Sequence, residues 1–165
     1  MSARPAAAAS AGAYEIRRAT PADAVAVERE LRAYLEHIGV ALEPHALDHD
    51  VARWPEEYGG GRGALLVVAA PAGPIVGTAG LRTLEPGVGE LKRMWIRPAH
   101  QGRGLGRRLL LACLDEARAL GFRRLRLDSM GQMEAAQALY RAHGFREITD
   151  YNGNPRAHVW MEADL

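Results

Sequence analysis

The sequence has 165 residues, of which 48% are hydrophobic and 25% are charged, and its formal net charge is +1. This length suits one domain with its own hydrophobic core. The near-neutral charge gives no general argument for binding to nucleic acid or to an anionic membrane. No apolar run approaches the roughly 20 residues that a membrane span requires. Composition therefore excludes a membrane protein and does not favour a nucleic-acid-binding one.

The single cysteine and the start of the chain indicate where the protein works. Cys113 is the only cysteine, so an internal disulfide is excluded and a reducing compartment is the natural interpretation. Residues 1–12 are rich in alanine but lack the long apolar segment of a signal peptide. We interpret residues 1–12 as a disordered tail and residues 13–165 as a single domain. The sequence predicts a cytoplasmic protein.

The first part of the chain predicts one strand followed by two helices. The strand is expected at Tyr14–Arg18. Thr20 is a typical N-cap residue, and Pro21 fits the first helical position after it. Apolar residues then recur at helical spacing until Gly39, which ends the helix. A second helix is predicted to run from Pro44 to about Trp54.

Strand patterns dominate the rest of the chain, with two further helices between them. The helices are predicted at Gly104–Leu120 and Met133–His143, and each is followed by a glycine that ends it. Strands are predicted at Leu65–Ala69, Ile75–Leu81, Glu90–Ile96, Arg123–Asp128, Phe145–Thr149 and Ala157–Ala163. This order indicates an α/β fold with a mixed sheet, because a hairpin and helical crossovers occur in the same chain.

The strongest functional signal lies in the stretch Glu90–Arg108, where a strand leads through a glycine-rich turn into a long helix. Gly102, Gly104 and Gly106 allow the backbone to approach a ligand closely. The free N–H groups and the dipole of the helix start favour an anion. Six lysines and arginines fall in this stretch, and after Glu90 no acidic residue occurs until Asp115. The pattern predicts a diphosphate-binding turn.

Two common phosphate motifs do not fit this turn. The P-loop pattern is absent, and Arg107 stands where the dinucleotide fingerprint needs glycine. What fits is Q-x-x-G-x-G, formed by Gln101, Gly104 and Gly106, followed by LY-x-x-x-GF at residues 139–145. Together these motifs resemble the acetyl-CoA-binding region of the GCN5-related N-acetyltransferase (GNAT) superfamily. The resemblance implies a mixed, mostly antiparallel sheet of six to seven strands flanked by about four helices.

The resemblance also implies a binding site for acetyl-CoA as co-substrate. In this superfamily the pantetheine arm lies along the strand before the turn, and the diphosphate lies on the turn. The implied contacts are Met94, Trp95, Ile96, Gln101, Gly102, Arg103, Gly104, Leu105, Gly106 and Arg107. One position departs from the pattern, since Met133 stands where many members carry an asparagine that contacts the cofactor.

Two catalytic residues are implied by the same resemblance. Tyr140, in the LY-x-x-x-GF motif, corresponds to the tyrosine that protonates the departing thiolate. Glu90 lies eleven residues before Gln101, where some members carry the general base. Lys92 lies two residues further along the same strand face and is expected to lower the pKa of Glu90. Such a pair suits amine acetylation, since the acceptor must lose a proton and the thiolate must gain one.

The expected activity is transfer of an acetyl group to a primary amine of a small, for example amino-acid-like, molecule by direct attack. A protein N-terminal or lysine acetyltransferase and a non-catalytic acyl-CoA-binding module are the alternatives. Tyr140 favours an enzyme, because a binding module has no need for a phenol beside the sulfur. No metal is expected, because His45 and His49 lack a third ligand in a defined motif. Since relatives often dimerise, a homodimer is compatible with the resemblance.

The segment after the sixth strand is predicted to hold the acceptor. Gly153 and Pro155 mark a shaped turn, and turns between rigid strands often carry specificity. Arg156 offers a planar fork suited to a carboxylate, and other side chains of the turn add hydrogen-bond donors. The residues predicted to bind the substrate are Asn152, Asn154, Arg156 and His158. We therefore expect an acceptor that carries a carboxylate.

Overall fold

The computed structural model describes residues 13–165, and the tail predicted for residues 1–12 lies outside them. The order of elements is the predicted one. In chain order they are β1 (Glu15–Arg18), α1 (Ala24–His37), α2 (Trp54–Glu57), β2 (Gly63–Ala69), β3 (Ile75–Glu85), β4 (Val88–Ile96), α3 (Leu105–Ala119), β5 (Arg124–Ser129), α4 (Glu134–Ala142), β6 (Arg146–Ile148) and β7 (Val159–Asp164). Across residues 13–165, no helix combines the length and the apolarity that a membrane crossing requires.

The seven strands form one sheet in the order β1-β2-β3-β4-β5-β7-β6. Strands β4 and β5 run parallel, and all the other neighbours are antiparallel. The predicted mixed, mostly antiparallel sheet with four helices is therefore confirmed. The parallel pairing is short, since it joins only Val88–Glu90 to Arg124–Arg126. Beyond these residues β4 and β5 diverge, and the gap between them opens a cleft through the middle of the sheet.

Helices cover both faces of the sheet, as alternate side chains of β2 show. Leu66 and Val68 pack into the core beneath α3 and α4. Leu65 and Val67 point the other way, into a second core beneath α1 and α2. All four side chains are almost completely buried, and burial of such a side chain stabilises the fold by about 1.5–3 kcal/mol. The cleft between β4 and β5 thus connects the two faces of the sheet. We call the face covered by α1 and α2 the α1 face, and the face covered by α3 and α4 the α3 face.

The predicted helix from Pro44 to Trp54 is wrong. Residues 44–52 form turns, and the helix α2 occupies only Trp54–Glu57. Asp48 accepts a hydrogen bond from the Glu43 amide at 2.8 Å, and Arg93 of β4 binds its carboxylate. Side chains of this kind offer the backbone an alternative to the helix. The chain follows these polar contacts because they tie the segment to the sheet.

The start of α1 agrees better with the sequence. Thr20 precedes a short 3-10 turn, Pro21–Asp23, that leads directly into the helix. The Asp23 carboxylate accepts hydrogen bonds from the Thr20 amide at 2.7 Å and from the Thr20 hydroxyl at 3.0 Å. Gly39 ends the helix with a left-handed φ of 73°. The chain thereby leaves α1 beside the mouth of the cleft.

Candidate active site

A cavity of about 860 Å³ lies where β4 and β5 diverge. Its walls come from α1 and the following loop on one face of the sheet. On the other face they come from the glycine turn, the first turn of α3, and α4. The connection between β6 and β7 forms the remaining side. One cavity therefore reaches both faces of the sheet through the gap between the strands.

The edge of β4 that faces the cavity carries peptide groups that do not pair with β3. The Arg97 amide donates to the Val76 carbonyl of β3 at 2.8 Å. Because peptide groups alternate along a strand, those of Ile96 and Met94 point away from β3, toward the cleft. The Ile96 carbonyl accepts a hydrogen bond from the Gln101 side chain at 2.9 Å. Gln101 thus holds the glycine turn against the open strand edge.

A β-bulge in β4 shapes the same edge. Arg93 adopts a left-handed φ of 55°, which is unusual for a residue with a side chain. The pairing register with β3 shifts between Thr78 and Gly80, opposite this point. The Thr78 hydroxyl donates to the Arg93 carbonyl at 2.9 Å and fixes the distortion. Bulges of this type turn the following residues relative to the sheet, here toward the cleft.

The glycine turn forms an open cradle at the start of α3. Gly102 and Gly104 have left-handed φ values of 74° and 72°, and a side chain at either position would point into open space. Gly104 is the N-cap of α3, so the first amides of the helix face the turn without intrahelical partners. A helix start with exposed amides binds anions well. The arrangement fits the diphosphate that the sequence predicts.

Eight of the ten residues predicted to bind the cofactor line the cavity. Arg103 and Arg107 do not, since both are exposed outside its wall. The eight that line it are Met94, Trp95, Ile96, Gln101, Gly102, Gly104, Leu105 and Gly106. Met133, the residue that departs from the family pattern, lines it as well. The open strand edge and the cradle together accommodate an extended amide chain that ends in a diphosphate.

Tyr140 faces the cavity from α4. Its ring packs against Phe145 with the centroids 5.7 Å apart, and the residue is only 7% exposed. No side chain or backbone group of residues 13–165 forms a hydrogen bond with its hydroxyl. Burial raises the pKa of Tyr140 well above its ordinary value. The phenol therefore keeps its proton near neutral pH and is free to donate it.

Glu90 is buried behind the cavity wall rather than exposed in it. Arg82 of β3 donates to its Oε1 atom at 2.9 Å, and the Tyr151 hydroxyl donates to Oε2 at 2.7 Å. The Asn152 amide approaches the same Oε2 atom at 3.3 Å. Lys92, expected beside Glu90, reaches Asp128 instead. The cation that neutralises Glu90 is Arg82, which the sequence did not indicate.

Asp128 lines the cavity, as do Asp48 and Asp50, and the sequence did not predict a role for it. It lies near the end of β5, where Lys92 approaches at 3.3 Å and the amides of Asn152 and Asn154 donate at 2.5 and 3.1 Å. Burial alone would raise the pKa of Asp128, but Lys92 and the two amides outweigh it and lower the pKa. The sequence contained one signal for Asp128. It is an acidic residue near the end of the strand that follows the helix α3.

Ion pairs hold the loop after α1 across the acceptor side of the cleft. Arg93 binds Asp50 at 2.6 Å and Asp48 at 3.0 Å, and all three side chains are at most 8% exposed. Arg156, from the connection between β6 and β7, binds the same Asp48 at 2.9 Å. Burial would raise the pKa of Asp48, yet hydrogen bonds from Arg156, the Glu43 amide and Arg93 lower it. The carboxylate stays charged and joins the two loops.

The four residues predicted to bind the acceptor are placed differently from one another. Asn152, Asn154 and Arg156 line the cavity, whereas His158 does not. The His158 ring lies outside, where its Nδ1 atom accepts a hydrogen bond from the Gly131 amide at 3.1 Å. The Arg156 fork, expected to face a carboxylate of the acceptor, faces Asp48 instead. The turn borders the acceptor side, but its arginine is already paired.

Cys113 lies outside the cavity wall. Its side chain is fully buried in the core beneath α3, and burial raises the pKa of its thiol. It therefore has neither the exposure nor the thiolate character that a nucleophile needs. Among residues 13–165, no three histidine, cysteine, aspartate or glutamate side chains cluster as metal ligands would.

Comparison with known proteins yields relatives that match most of the chain. The IAA acetyltransferase of Azospirillum brasilense is 34% identical over 156 residues, which cover 91% of this chain and 97% of that protein. The aminoglycoside N(6')-acetyltransferase type 1 of Stenotrophomonas maltophilia is 34% identical over 145 residues, covering 83% and 89%. An acetyltransferase from Salmonella typhimurium, solved with acetyl-CoA, superimposes with a TM-score of 0.71 at 24% identity and covers 92% and 94%.

A family model confirms what the cleft and these relatives indicate. The model of the acetyltransferase (GNAT) family matches residues 24–145, which include α1, the glycine turn and Tyr140. The open β4 edge and the anion cradle suit acetyl-CoA, the acetyl donor of this family. The expected donor, acetyl-CoA, and the expected class, an acetyltransferase, are therefore confirmed. The chain belongs to the GNAT family of acetyltransferases.

Proposed function

We propose that this protein transfers the acetyl group of acetyl-CoA to a primary amine of a small molecule. The observation that carries the proposal is the single cleft, which joins an open strand edge and an anion cradle to the protonated phenol of Tyr140 and the carboxylate of Asp128. The donor would occupy the α3 face, so the acceptor must enter from the α1 face. Two relatives named for acetylation of small molecules support this choice.

The chemistry needs two proton transfers, for which the cleft has suitable groups. An alkylamine has a pKa near 10.4, so it is mostly protonated at neutral pH and must lose a proton before it attacks. The amine nitrogen then attacks the thioester carbonyl, a C–N bond forms and the C–S bond breaks. In our proposal Tyr140 gives its proton to the departing thiolate. The phenol is protonated at neutral pH, which is the form that a general acid needs.

The two carboxylates near the acceptor would have different tasks. The lowered pKa of Asp128 suits it to hold an ammonium group rather than to accept its proton. Its Oδ1 atom can still accept a hydrogen bond, because both asparagine amides bind Oδ2 and Lys92 is 3.5 Å from Oδ1. Glu90 remains our proposed base, and because it does not line the cavity, the proton would reach it through a water molecule. Asn152 contacts both carboxylates, at 3.3 Å and 2.5 Å, and so connects the two positions.

The acceptor entrance favours a small molecule over a polypeptide. The bridge between Arg156 and Asp48 joins the loop after α1 to the connection between β6 and β7. An extended polypeptide would have to pass between these loops, and the bridge narrows that path. A small amine can enter the cavity without separating them. We therefore favour a small-molecule acceptor and keep acetylation of a protein N-terminus or a lysine side chain as the alternative.

An acceptor screen tests the proposal. Thiol release from acetyl-CoA would be followed with a panel of small primary amines and with peptides that offer a free N-terminus or a lysine. We expect turnover with small amines and none above background with the peptides. Turnover with peptides alone would replace our proposal with the protein-acetylating alternative. Tight binding of acetyl-CoA without thiol release would indicate a binding module.

A second experiment separates the two carboxylates. Glu90→Gln should shift the acidic limb of the kcat/KM profile to higher pH, because the amine must then lose its proton in solution. Asp128→Asn should mainly raise the KM for the acceptor, because an ammonium anchor is lost. An unchanged profile in Glu90→Gln would remove Glu90 from the mechanism and leave water as the base.

A further inference from the structure

The charged side chains on the acceptor side of the cleft are already paired with one another. Each lysine or arginine that lines the cavity within residues 13–165 has a carboxylate partner. The pairs are Arg82 with Glu90, Lys92 with Asp128, Arg93 with Asp50, and Arg156 with Asp48. A carboxylate on the acceptor would have to displace one of these partners. Ion pairing therefore gives an acidic acceptor little advantage.

Three aromatic rings line the same side of the cavity, and we call them the aromatic wall: Tyr34, His37 and Trp95. Tyr34 and His37 project from the last turns of α1, and Trp95 comes from β4. The Trp95 ring centroid lies 6.0 Å from that of Tyr34 and 5.6 Å from that of His37. These distances are typical of packed aromatic pairs. The rings thus form one continuous surface.

The wall is held in place from behind. The guanidinium of Arg97 lies 6.0 Å from the centroid of the Trp95 ring. Arg97 in turn binds the fully buried Glu30 of α1 at 2.8 Å. A ring fixed in this way loses little conformational freedom when a ligand packs on it. The wall is therefore a preformed surface for a flat group.

The polar atoms of the wall are not used within the protein. The hydroxyl of Tyr34 forms no hydrogen bond with residues 13–165, and the indole N–H of Trp95 is buried without a partner among them. The charged groups that act on the Tyr34 phenol include Asp128, Arg93 and Arg156. Tyr34 and Asp128 line the same cavity, in which the acceptor amine is expected. The Tyr34 hydroxyl is therefore the polar group that the wall offers to a molecule in the cavity, whereas the Trp95 N–H is enclosed by the protein.

We propose that the aromatic wall is the acceptor subsite and that it selects a primary amine carrying an uncharged aromatic group. This inference rests on the proposed function, because it assumes that an amine is acetylated in the cleft. The ring of the acceptor packs against Tyr34, His37 and Trp95. Its amine then lies near Asp128 and faces the open edge of β4. The inference replaces the acidic acceptor that Arg156 suggested in the sequence.

Three acceptors of related shape test the proposal. 2-Phenylethylamine carries the ring alone, ethylamine lacks it, and phenylalanine adds a carboxylate. In the wild type we expect kcat/KM for 2-phenylethylamine to exceed that for ethylamine by about ten- to a hundredfold, because the buried ring leaves water. Phenylalanine should be the poorer of the two aromatic acceptors. A preference below about threefold, or a preference for phenylalanine, overturns the proposal.

Two variants connect the preference to the wall. His37→Ala changes an exposed side chain at the end of α1, so it should fold, and Tyr34→Leu removes the second ring. Each should lower the ratio between 2-phenylethylamine and ethylamine by about three- to tenfold and leave the KM for acetyl-CoA unchanged. His45→Ala is the matched control, because His45 is exposed on the neighbouring loop and does not line the cavity. An unchanged ratio in folded His37→Ala protein contradicts the proposal.

The outcomes separate this inference from the proposed function. Turnover of amines without aromatic preference would keep the proposed function and reject the aromatic subsite. If no amine turns over, calorimetric titration of 2-phenylethylamine into the wild type saturated with CoA still tests the subsite. Binding that His37→Ala weakens, and His45→Ala does not, supports it. Absence of binding to the wild type, or binding equal in all three proteins, overturns it.

Discussion

On the α3 face of the cleft the backbone offers the binding groups, whereas on the α1 face side chains do. The edge of β4 and the turn at Gly102 and Gly104 present peptide groups to the cavity. Across the sheet, Asp48, Arg93 and Arg156 close the wall through ion pairs between segments far apart in the chain. A backbone site needs only glycines at the right spacing. A side-chain site depends on every partner that reaches it.

This difference explains why one face has a motif and the other does not. Backbone recognition of a diphosphate tolerates most side chains, so the same short pattern suits many proteins. The acceptor face can change its chemistry with a single residue of a loop while the cradle stays intact. The two faces should therefore fail independently when they are mutated. Mutations on either face test that independence.

Tyr140→Phe should give the largest effect, a fall in kcat of about 10²–10⁴-fold, because the departing thiolate loses its proton donor. The affinity for acetyl-CoA, measured by calorimetry, should stay within about twofold. Because burial raises the pKa of Tyr140 above its ordinary value, the wild-type rate should not fall between pH 8 and about pH 10. A fall of kcat smaller than about threefold would make Tyr140 a packing residue only.

Gly104→Val should weaken acetyl-CoA binding by at least about tenfold. A side chain at the left-handed φ of 72° is strained by about 1–2 kcal/mol, and the added atoms project into open space at the cradle. Gly121→Val is the matched control, because its φ is 85° and it lies just beyond the other end of α3. Both variants should lose thermal stability, but Gly121→Val should bind normally. Equal affinity in the two folded variants would contradict the cradle.

Arg156→Ala should affect the acceptor face alone. Loss of its charged hydrogen bonds to Asp48 should lower the free energy of unfolding by about 1–3 kcal/mol, as measured by urea denaturation. The KM for the acceptor should rise, because the two loops are no longer joined. The KM for acetyl-CoA should not change. A parallel rise in both KM values would show that the faces are coupled.

The acid sensitivity of the acceptor face follows from Asp48. Its pKa in the folded protein is lowered, so its stabilising contribution is present above the unfolded pKa of about 3.9 and is lost as the pH falls through the folded value. The difference in unfolding free energy between wild type and Asp48→Asn should therefore be largest at pH 5–7 and shrink below about pH 4. Asp115→Asn, at an 82% exposed carboxylate, should show little difference at any pH. A constant difference for Asp48→Asn would refute the assignment.

The sequence allowed the sheet and the α3 face to be predicted, because their signals are local. Gly39 and Gly121 marked helix ends, and Gln101 with Gly104 marked the cradle. The helix predicted from Pro44 failed for the opposite reason. The conformation of this segment depends on the contact between Asp48 and Arg93, which is 45 residues away in the chain. Local helix propensity does not report so distant a partner.

The partners of the charged residues could not be read from the sequence either. Lys92 and Glu90 are two residues apart on β4, so their side chains belong to the same strand face. This spacing suggested that they interact. The parallel pairing of Glu90 with Arg126 places Lys92, two residues further on, beside Asp128 of β5 instead. Arg156 carries a fork that suits a carboxylate, and it does bind one, but the carboxylate belongs to the protein. The sequence showed which residues carry charges that can pair, whereas the partner of each one became known only from the fold.

If one cleft binds both donor and acceptor, thiol release must be coupled to amide formation. The test is to quantify free CoA by its thiol and the acetylated amine by mass spectrometry in the same reaction, with wild type and with Tyr140→Phe. We expect one amide for each thiol in the wild type, and a fall of both products together in the variant. Thiol release without amide, or equal rates in the two proteins, would contradict the account.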